Sequence, residues 1–290
     1  MNSNANSRSR AVKELEKSLA TFIVWGIALT MIVPFVWMLS SSLKLPSEVL
    51  ELPIRWIPKR LRWENYAVVW NIGGLAPRDY HFPLAYFNSL KIAFINMGGC
   101  LLTSSLAGYA FAKIPFRGRD AVFLMYLATM MIPSQVTLIP KFVLFDFMGI
   151  LGSHLTLILP GLVTITGTFL MKQYFMQVPN ELRESATIDG ASEFHTWWRI
   201  MLPLAKPMLG SLALMVFLWN WNNYLEALVF LRSWRTYTIS VALGAFIDES
   251  LTEYNLVMAA SVSALLPVFL VFIAGQKYLV KGLTAGAVKG

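Results

Sequence analysis

Long apolar runs separated by short polar punctuation organise this chain. They extend from about Leu19 to Ser41, Leu84 to Ala112, Ala121 to Phe145, Leu155 to Phe175, Leu204 to Leu231 and Leu256 to Val280. A helix needs roughly 20 apolar residues to cross about 30 Å of hydrocarbon, so each run predicts one membrane span. The expected fold is therefore all-α and integral to the membrane, with six transmembrane helices. The leading run exceeds the apolar region of a signal peptide and lacks a small-residue cleavage site, which reads as an uncleaved first span.

The polar segments set the topology. Residues 1–18 form a basic arm with Arg8, Arg10, Lys13 and Lys17; 19–281 form the six-span domain; 282–290 form a Gly-rich tail. Within the domain, 44–83 is a long loop rich in Pro, Trp and Arg, whose tryptophans suit the headgroup layer. Lys113, Arg117 and Arg119 make a compact basic loop, and a second polar segment spans 178–207. Basic residues concentrate on the side of the arm and of these two loops. The positive-inside bias then places both termini in the cytosol, with 44–83 and the loop from about Arg232 to Asn255 outside.

Composition narrows the function classes. The chain is 56% apolar and 14% charged, and its net charge of +8 is what positive-inside topology produces. No basic stripe interleaved with aromatics lies outside the apolar runs, so a nucleic-acid partner is not expected and membrane lipid is. Cys100 is the sole cysteine, and His81, His154 and His195 lie in separate segments, which argues against a metal site. No clustered acid, base and nucleophile is visible, so no catalytic residue is assigned. There is no GxxxxGK[ST] phosphate loop either, and the chain is expected to bind no cofactor itself.

Polar groups inside the runs are functional candidates. The third run is interrupted by Ile132-Pro133-Ser134-Gln135 and by Pro140, which free backbone carbonyls and predict a segment facing the bundle interior. The fifth run carries Trp219-Asn220-Trp221-Asn222-Asn223-Tyr224 and Glu226. Gln135, Asn220, Asn222, Asn223, Tyr224 and Glu226 combine amide hydrogen bonding with aromatic faces, as a pathway for sugar hydroxyls would. The same groups also suit hydrogen bonds that tie helices together.

The segment 178–207 has helix punctuation of its own. Pro179 and Glu181 suit a first helical turn, Gly190 a left-handed stop, and Ser192 the cap of a second helix from Glu193 to Met201, before Pro203 and Pro207 turn the chain back. Leu182 and Ala186 share a face at a spacing of four. Such a helix–turn–helix is either a knob that docks into a partner's cleft or a surface loop anchored in the interface by Phe194, Trp197 and Trp198. Periodicity does not decide between them.

At this point the residues resemble a known family. Glu184-Ser185-Ala186-x-x-Asp189-Gly190-Ala191, with Phe194, Ile200, Leu202-Pro203 and Pro207, is similar to the Glu-Ala-Ala loop of ABC importer permeases, in the carbohydrate branch typified by the maltose system. Ser185 stands where the first alanine is usual. The similarity extends to Asn88-Ser89, Ala107-Gly108-Tyr109-Ala110-Phe111-Ala112, Pro133-Ser134-Gln135, Trp219-Asn220-Trp221-Asn222 and Gly282-Leu283-Thr284-Ala285-Gly286, although the branch often carries Asp where Asn223 stands.

The resemblance implies a type I importer permease of a bacterial inner membrane. Its expected partners are a second homologous permease subunit, two cytosolic ATPase subunits that hold ATP and Mg, an extracytoplasmic solute-binding protein and a sugar. Glu184, Ser185, Ala186, Asp189, Gly190 and Ala191 would form the contact with the ATPase, and Gly286, Ala287, Val288, Lys289 and Gly290 a second one. An acidic oligosaccharide or a glycerol-phosphate-type solute is the alternative substrate. An ion-coupled secondary transporter is the competing class, and it would need an intramembrane ion relay that the runs scarcely offer beyond Glu226 and Lys91.

Overall fold

The computed structural model describes residues 2–74, 81–249 and 253–287, and every regular element among them is helical. In chain order the principal helices are α1 (Asn2–Ser42), α2 (Phe82–Lys113), α3 (Arg119–Ala128), α4 (Leu138–Phe147), α5 (Leu155–Gly161) and α6 (Ile165–Gln177). They continue with α7 (Glu181–Ile188), α8 (Glu193–Thr196), α9 (Lys206–Trp221), α10 (Leu225–Phe230), α11 (Ile239–Glu249) and α12 (Tyr254–Ala287).

Among the described residues, four stretches are long and apolar enough to cross a membrane: Glu16–Ser42, Phe82–Lys113, Leu155–Gln177 and Tyr254–Tyr278. A fifth exists if Glu193–Leu204 and Lys206–Trp221, bent by 80° at their junction, are counted as one broken span. The basic arm is helical and continuous with the first run, α1 beginning at Asn2.

The departures from six unbroken spans fall at prolines and amides. The third run is two pieces of 10 residues each, α3 and α4, with Pro140 in the first turn of α4, where no intrahelical N–H is needed. The intervening segment does not face the interior of this chain, because Met131 to Val136 are all exposed. Its freed backbone groups are satisfied locally: Ile132 N–H donates to Thr129 O at 3.2 Å and Val136 N–H to Pro133 O at 3.0 Å. Local turns thus remove the need for burial that the sequence suggested. The fifth run stops at Trp221 and resumes as α10 beyond Asn222–Tyr224.

The chain divides into two compact units, Met1–Leu75 with Glu249–Ser263, and Ala76–Asp248 with Ala264–Gly290. In the first, α1 leaves Phe22, Trp25, Leu29 and Met31 exposed, as a lipid-facing helix does. The segment after it is knitted by polar bonds. The buried Lys44 ammonium donates to Arg55 O at 2.5 Å, and the Asn65 amide bridges Ser42 O and Lys44 O at 2.8 and 2.9 Å. Burial pushes the Lys44 pKa down against the opposing pull of Glu48.

In the second unit α2 is the central post. Apolar side chains gain little from leaving lipid for protein, so helices in a membrane associate through small residues and interhelical hydrogen bonds. Both devices are present. A Cβ on Gly108 would lie 2.6 Å from Met171 Cβ and 2.8 Å from Lys172 N, so only glycine lets α2 and α6 approach this closely. Asn96 donates to Leu157 O at 3.1 Å and to Asn220 Oδ1 at 2.5 Å, joining α2 to α5 and α9. Cys100, Tyr109, Met171, Phe175, Met208 and Leu212 fill the core around this post.

Candidate functional site

Between α6 and α9 the chain makes a compact helical hairpin. α7 begins at Glu181, with Pro179 just outside the first turn it was expected to occupy, and its acidic Glu181 and Glu184 suit the positive end of the helix dipole. It ends at Gly190, whose φ of 79° is the left-handed stop. Ala191 N–H returns to Ala186 O at 2.9 Å and Gly190 N–H to Thr187 O at 3.0 Å, the two bonds of a Schellman closure. Ser192 Oγ then accepts from His195 N–H at 3.2 Å and starts α8. The helix expected through Met201 loosens into a wider turn over Trp197–Met201 before Leu202–Leu204.

Exposure bears on the two roles that the sequence left open. Glu184, Ser185, Asp189 and Gly190 are exposed, Ile188 is 85% exposed at the tip, and Ala191 is partly buried. Ala186 is buried, so its small side chain serves the inside of the hairpin. Trp197 is also buried, against the core that holds Tyr109 and Met171, and is not an interfacial anchor. Phe194 and Trp198 remain exposed.

The hairpin is fastened to the helices beneath it. The Glu193 carboxylate accepts from the Arg183 guanidinium, which reaches Oε1 through Nη2 and also through Nε at 3.0 Å, and from the Tyr109 hydroxyl at 2.5 Å. That pairing, the Glu193 hydrogen bond first, raises the Arg183 pKa above its ordinary value. Lys113 Nζ donates to Val178 O at 2.5 Å and Asn180 Oδ1 at 2.6 Å, so the Asn180 side chain holds the lysine and does not cap α7. Tyr174 donates to Leu204 O at 2.8 Å and closes the base. None of these fastenings was read from the sequence. The only available signal was the presence of Tyr109 and Lys113 four residues apart at the polar end of an apolar run.

The six pathway candidates divide. Asn220 is committed to α2 through Asn96 and to its own helix through Val216 O at 2.8 Å, and the Asn222 amide donates to Leu218 O at 2.9 Å. Both act largely as helix ties. Asn223 and Glu226 come together: the amide donates to Oε2 at 3.2 Å, while Lys141 Nζ of α4 reaches Oε1 at 2.7 Å. Tyr224 is exposed beside Gly244, whose Cβ position would lie 3.1 Å from Tyr224 Cε2. Gln135 is exposed and accepts from Ser134 at 3.4 Å, and no hydrogen bond among the described residues joins it to the amide cluster. Of the tail candidates, Gly286 and Ala287 are the last described residues of α12, and Val288, Lys289 and Gly290 lie outside the described residues.

Long apolar helices carrying a rigid polar hairpin define a multi-pass membrane protein, and comparison with known proteins makes the class specific. The family described as "binding-protein-dependent transport system inner membrane component" matches residues 101–285. The arabinooligosaccharides transport system permease protein AraQ of Bacillus subtilis is 34% identical, over 93% of this chain and 98% of that protein. The lactose transport system permease protein LacG of Rhizobium radiobacter is 32% identical, over 89% and 91%. The sn-glycerol-3-phosphate transport system permease protein UgpE of Yersinia enterocolitica is 32% identical, over 90% and 93%. Among solved structures, a bacterial ABC transporter involved in the import of the acidic polysaccharide alginate has a chain that superposes with a TM-score of 0.79 at 24% identity, covering 92% of this chain and 97% of that one. That likeness establishes the fold, of the type I importer permease kind.

The chain belongs to the family of binding-protein-dependent transport system inner membrane components. It is a transport component of a membrane and not itself an enzyme.

Proposed function

We propose that this chain is one membrane-spanning subunit of an ATP-driven carbohydrate importer of a bacterial inner membrane. Six spans lie within 19–281, with both termini in the cytosol, and the hairpin of 178–207 docks on a cytosolic ATPase that holds ATP and Mg. A second homologous permease subunit, two ATPase subunits and an extracytoplasmic solute-binding protein complete the assembly. The observation that carries the reading is the hairpin: a short helix stopped by Gly190 at φ 79°, presenting Glu184, Ser185, Ile188 and Asp189 to the exterior. Energy then reaches this chain as displacement of that hairpin. The spans respond by alternating access around a pathway near mid-membrane. The exposed break at Met131–Val136 is suited to face the companion subunit or the water of that pathway.

The relatives named for arabinooligosaccharides and lactose support a sugar, and the relative named for sn-glycerol-3-phosphate supports the alternative of an anionic solute. The Lys141–Glu226 pair favours the first, because the carboxylate neutralises the lysine and leaves Asn223 and Tyr224 beside it as uncharged groups for hydroxyls. ATPase activity of the reconstituted complex, measured with its binding protein and a panel of arabino-oligosaccharides, lactose, sn-glycerol-3-phosphate and alginate oligosaccharides, tests both points. Stimulation by a neutral oligosaccharide is expected. Stimulation by the anionic solutes alone would overturn the substrate reading, and uptake without any ATPase subunit would overturn the proposal altogether.

A further inference from the structure

We propose that Tyr109 and Lys113, on the last turns of α2, are positioning residues that bolt the hairpin to the transmembrane helices and carry its displacement into them. The inference rests on the reading of the hairpin as the ATPase contact and assigns the route by which the load leaves it.

A hairpin tied to the spans only by its two chain connections would pivot when its tip is pushed. This one is held to α2 at two further points and braced internally at a third. Tyr109 and Lys113 are 3% and 7% exposed and stand one turn apart on the same face of α2. Tyr109 donates to Glu193, at the start of the second helix of the hairpin, and Lys113 donates to Val178 O and Asn180 Oδ1, at the entry to the first. The third point is Arg183, which bridges α7 to the same Glu193 carboxylate, so one carboxylate joins α7, α8 and α2. Both limbs of the hairpin are therefore pinned to one helix face.

The post they are pinned to is itself stiff. One residue before Tyr109, Gly108 lies against the backbone of Met171 and Lys172, so α2 is locked to α6, the helix that leads into the hairpin. Hydrogen bonds to charged groups are the stronger kind and directional, which suits transmission of displacement better than apolar contact does. Among the described residues, Lys113 hydrogen-bonds no carboxylate. Its ammonium is spent on a backbone carbonyl and an amide oxygen, the pattern of a group that fixes geometry.

The test uses the complete complex in nanodiscs, with spin labels at Ile188→Cys on the tip and Leu102→Cys on α2, both exposed positions, while the buried Cys100 stays in place. In the otherwise native chain the label distance is expected to be narrow and unchanged by ATP–Mg, because hairpin and α2 move as one body. In Tyr109→Phe/Lys113→Met a second, longer or broader component should appear on adding ATP–Mg, while ATP hydrolysis continues. Losing one hydrogen bond to a charged group lowers the ratio of bolted to unbolted hairpin by about 10- to 100-fold, so the double variant should show it plainly. Lys113→Arg with Tyr109 intact should restore the single component.

A purely structural role would lower hydrolysis and complex yield together, with no ATP-dependent change in distance, and that result overturns the inference. A narrow distribution in the double variant overturns it as well. Should the double variant fail to accumulate, Tyr109→Phe alone, which removes only an oxygen, is read by the same criteria. Failure of the ATPase to co-purify with the native chain would instead overturn the docking reading, and the inference with it.

Discussion

Replacing Gly190 isolates a backbone effect from a packing effect. Its φ is 79°, and a Cβ built there meets no atom within 4 Å. Any penalty must therefore come from the left-handed conformation and not from a clash. A residue held in such a region costs about 1–3 kcal/mol, with the branched Val at the upper end and Asn, whose side chain tolerates αL, near the lower. Two hydrogen bonds depend on that conformation, Ala191 N–H to Ala186 O at 2.9 Å and Gly190 N–H to Thr187 O at 3.0 Å. At about 1.4 kcal/mol per tenfold, Gly190→Val lowers the ratio of closed to open turn by roughly 5- to 150-fold.

The reconstituted complex reads this as transport per ATP hydrolysed. Gly190→Asn should stay near the native ratio, Gly190→Ala should fall between, and Gly190→Val should hydrolyse ATP with little transport. Amide exchange over Ala186–Ser192 should accelerate in the same order. Equal coupling ratios in Val and Asn variants would refute the argument, since they differ chiefly in tolerance of positive φ.

Three other sites give sharp expectations. Gly108→Ala places a Cβ within 3 Å of Met171 and Lys172 backbone atoms, which no rotamer can relieve, and overpacking of this kind costs about 1–3 kcal/mol; a thermal midpoint in detergent equal to that of the native chain would show that the helices separate freely. Lys141→Met leaves Glu226 only 27% exposed and without its cation, and should destabilise by about 1–3 kcal/mol, whereas Lys141→Met/Glu226→Gln should recover most of the loss; equal midpoints for the single and double variants would contradict the pairing. His154 is held below its ordinary value of 6.5 by burial and, second, by the Lys91 ammonium, while its ring bonds Thr236 O at 2.9 Å. Its folded pKa is depressed, so the unfolded chain takes up the proton first. The associated stability is full above about pH 6.5 and is lost as the pH falls through the lower folded value, and His154→Gln should flatten that slope in melting curves.

The apolar runs were enough to place the long helices because a span must hide its backbone and its side chains together, which leaves a run of residues too long to overlook. Pattern alone resolved less where polar residues interrupt a run. Ile132-Pro133-Ser134-Gln135 announced a break, but whether the freed groups turn inward or close on themselves depends on local geometry, and Val136 bonding back to Pro133 O decides it. The hairpin was legible residue by residue, since Gly190 and Ser192 act through their own backbone and side chains. What holds it down was not. Glu193 and Tyr109 are 84 residues apart, and Lys141 and Glu226 are 85, and nothing periodic marks such pairs.

That division of legibility follows the mechanical division of the protein. The post formed by α2 with α5, α6 and α9 is held by contacts that tolerate no added atom, at Gly108 against Met171 and at Gly161 against Asn96, and by partly buried side-chain hydrogen bonds such as Thr103 to Leu162 O at 2.6 Å. The segment from α3 to α4 is two short helices around an exposed turn. On the proposed reading, a displacement delivered at the hairpin passes through the first kind of structure and is taken up by the second. The polar groups proposed for the pathway sit where the two kinds meet: Lys141 on α4 and Asn223 with Glu226 beyond the end of α9. An ion pair with one partner on each side of such a boundary is made or broken as the boundary shifts. The coupling energy of Lys141 and Glu226 should therefore differ between ATP-bound and ATP-free complexes, and a double-mutant cycle giving the same value in both states would place the moving boundary elsewhere.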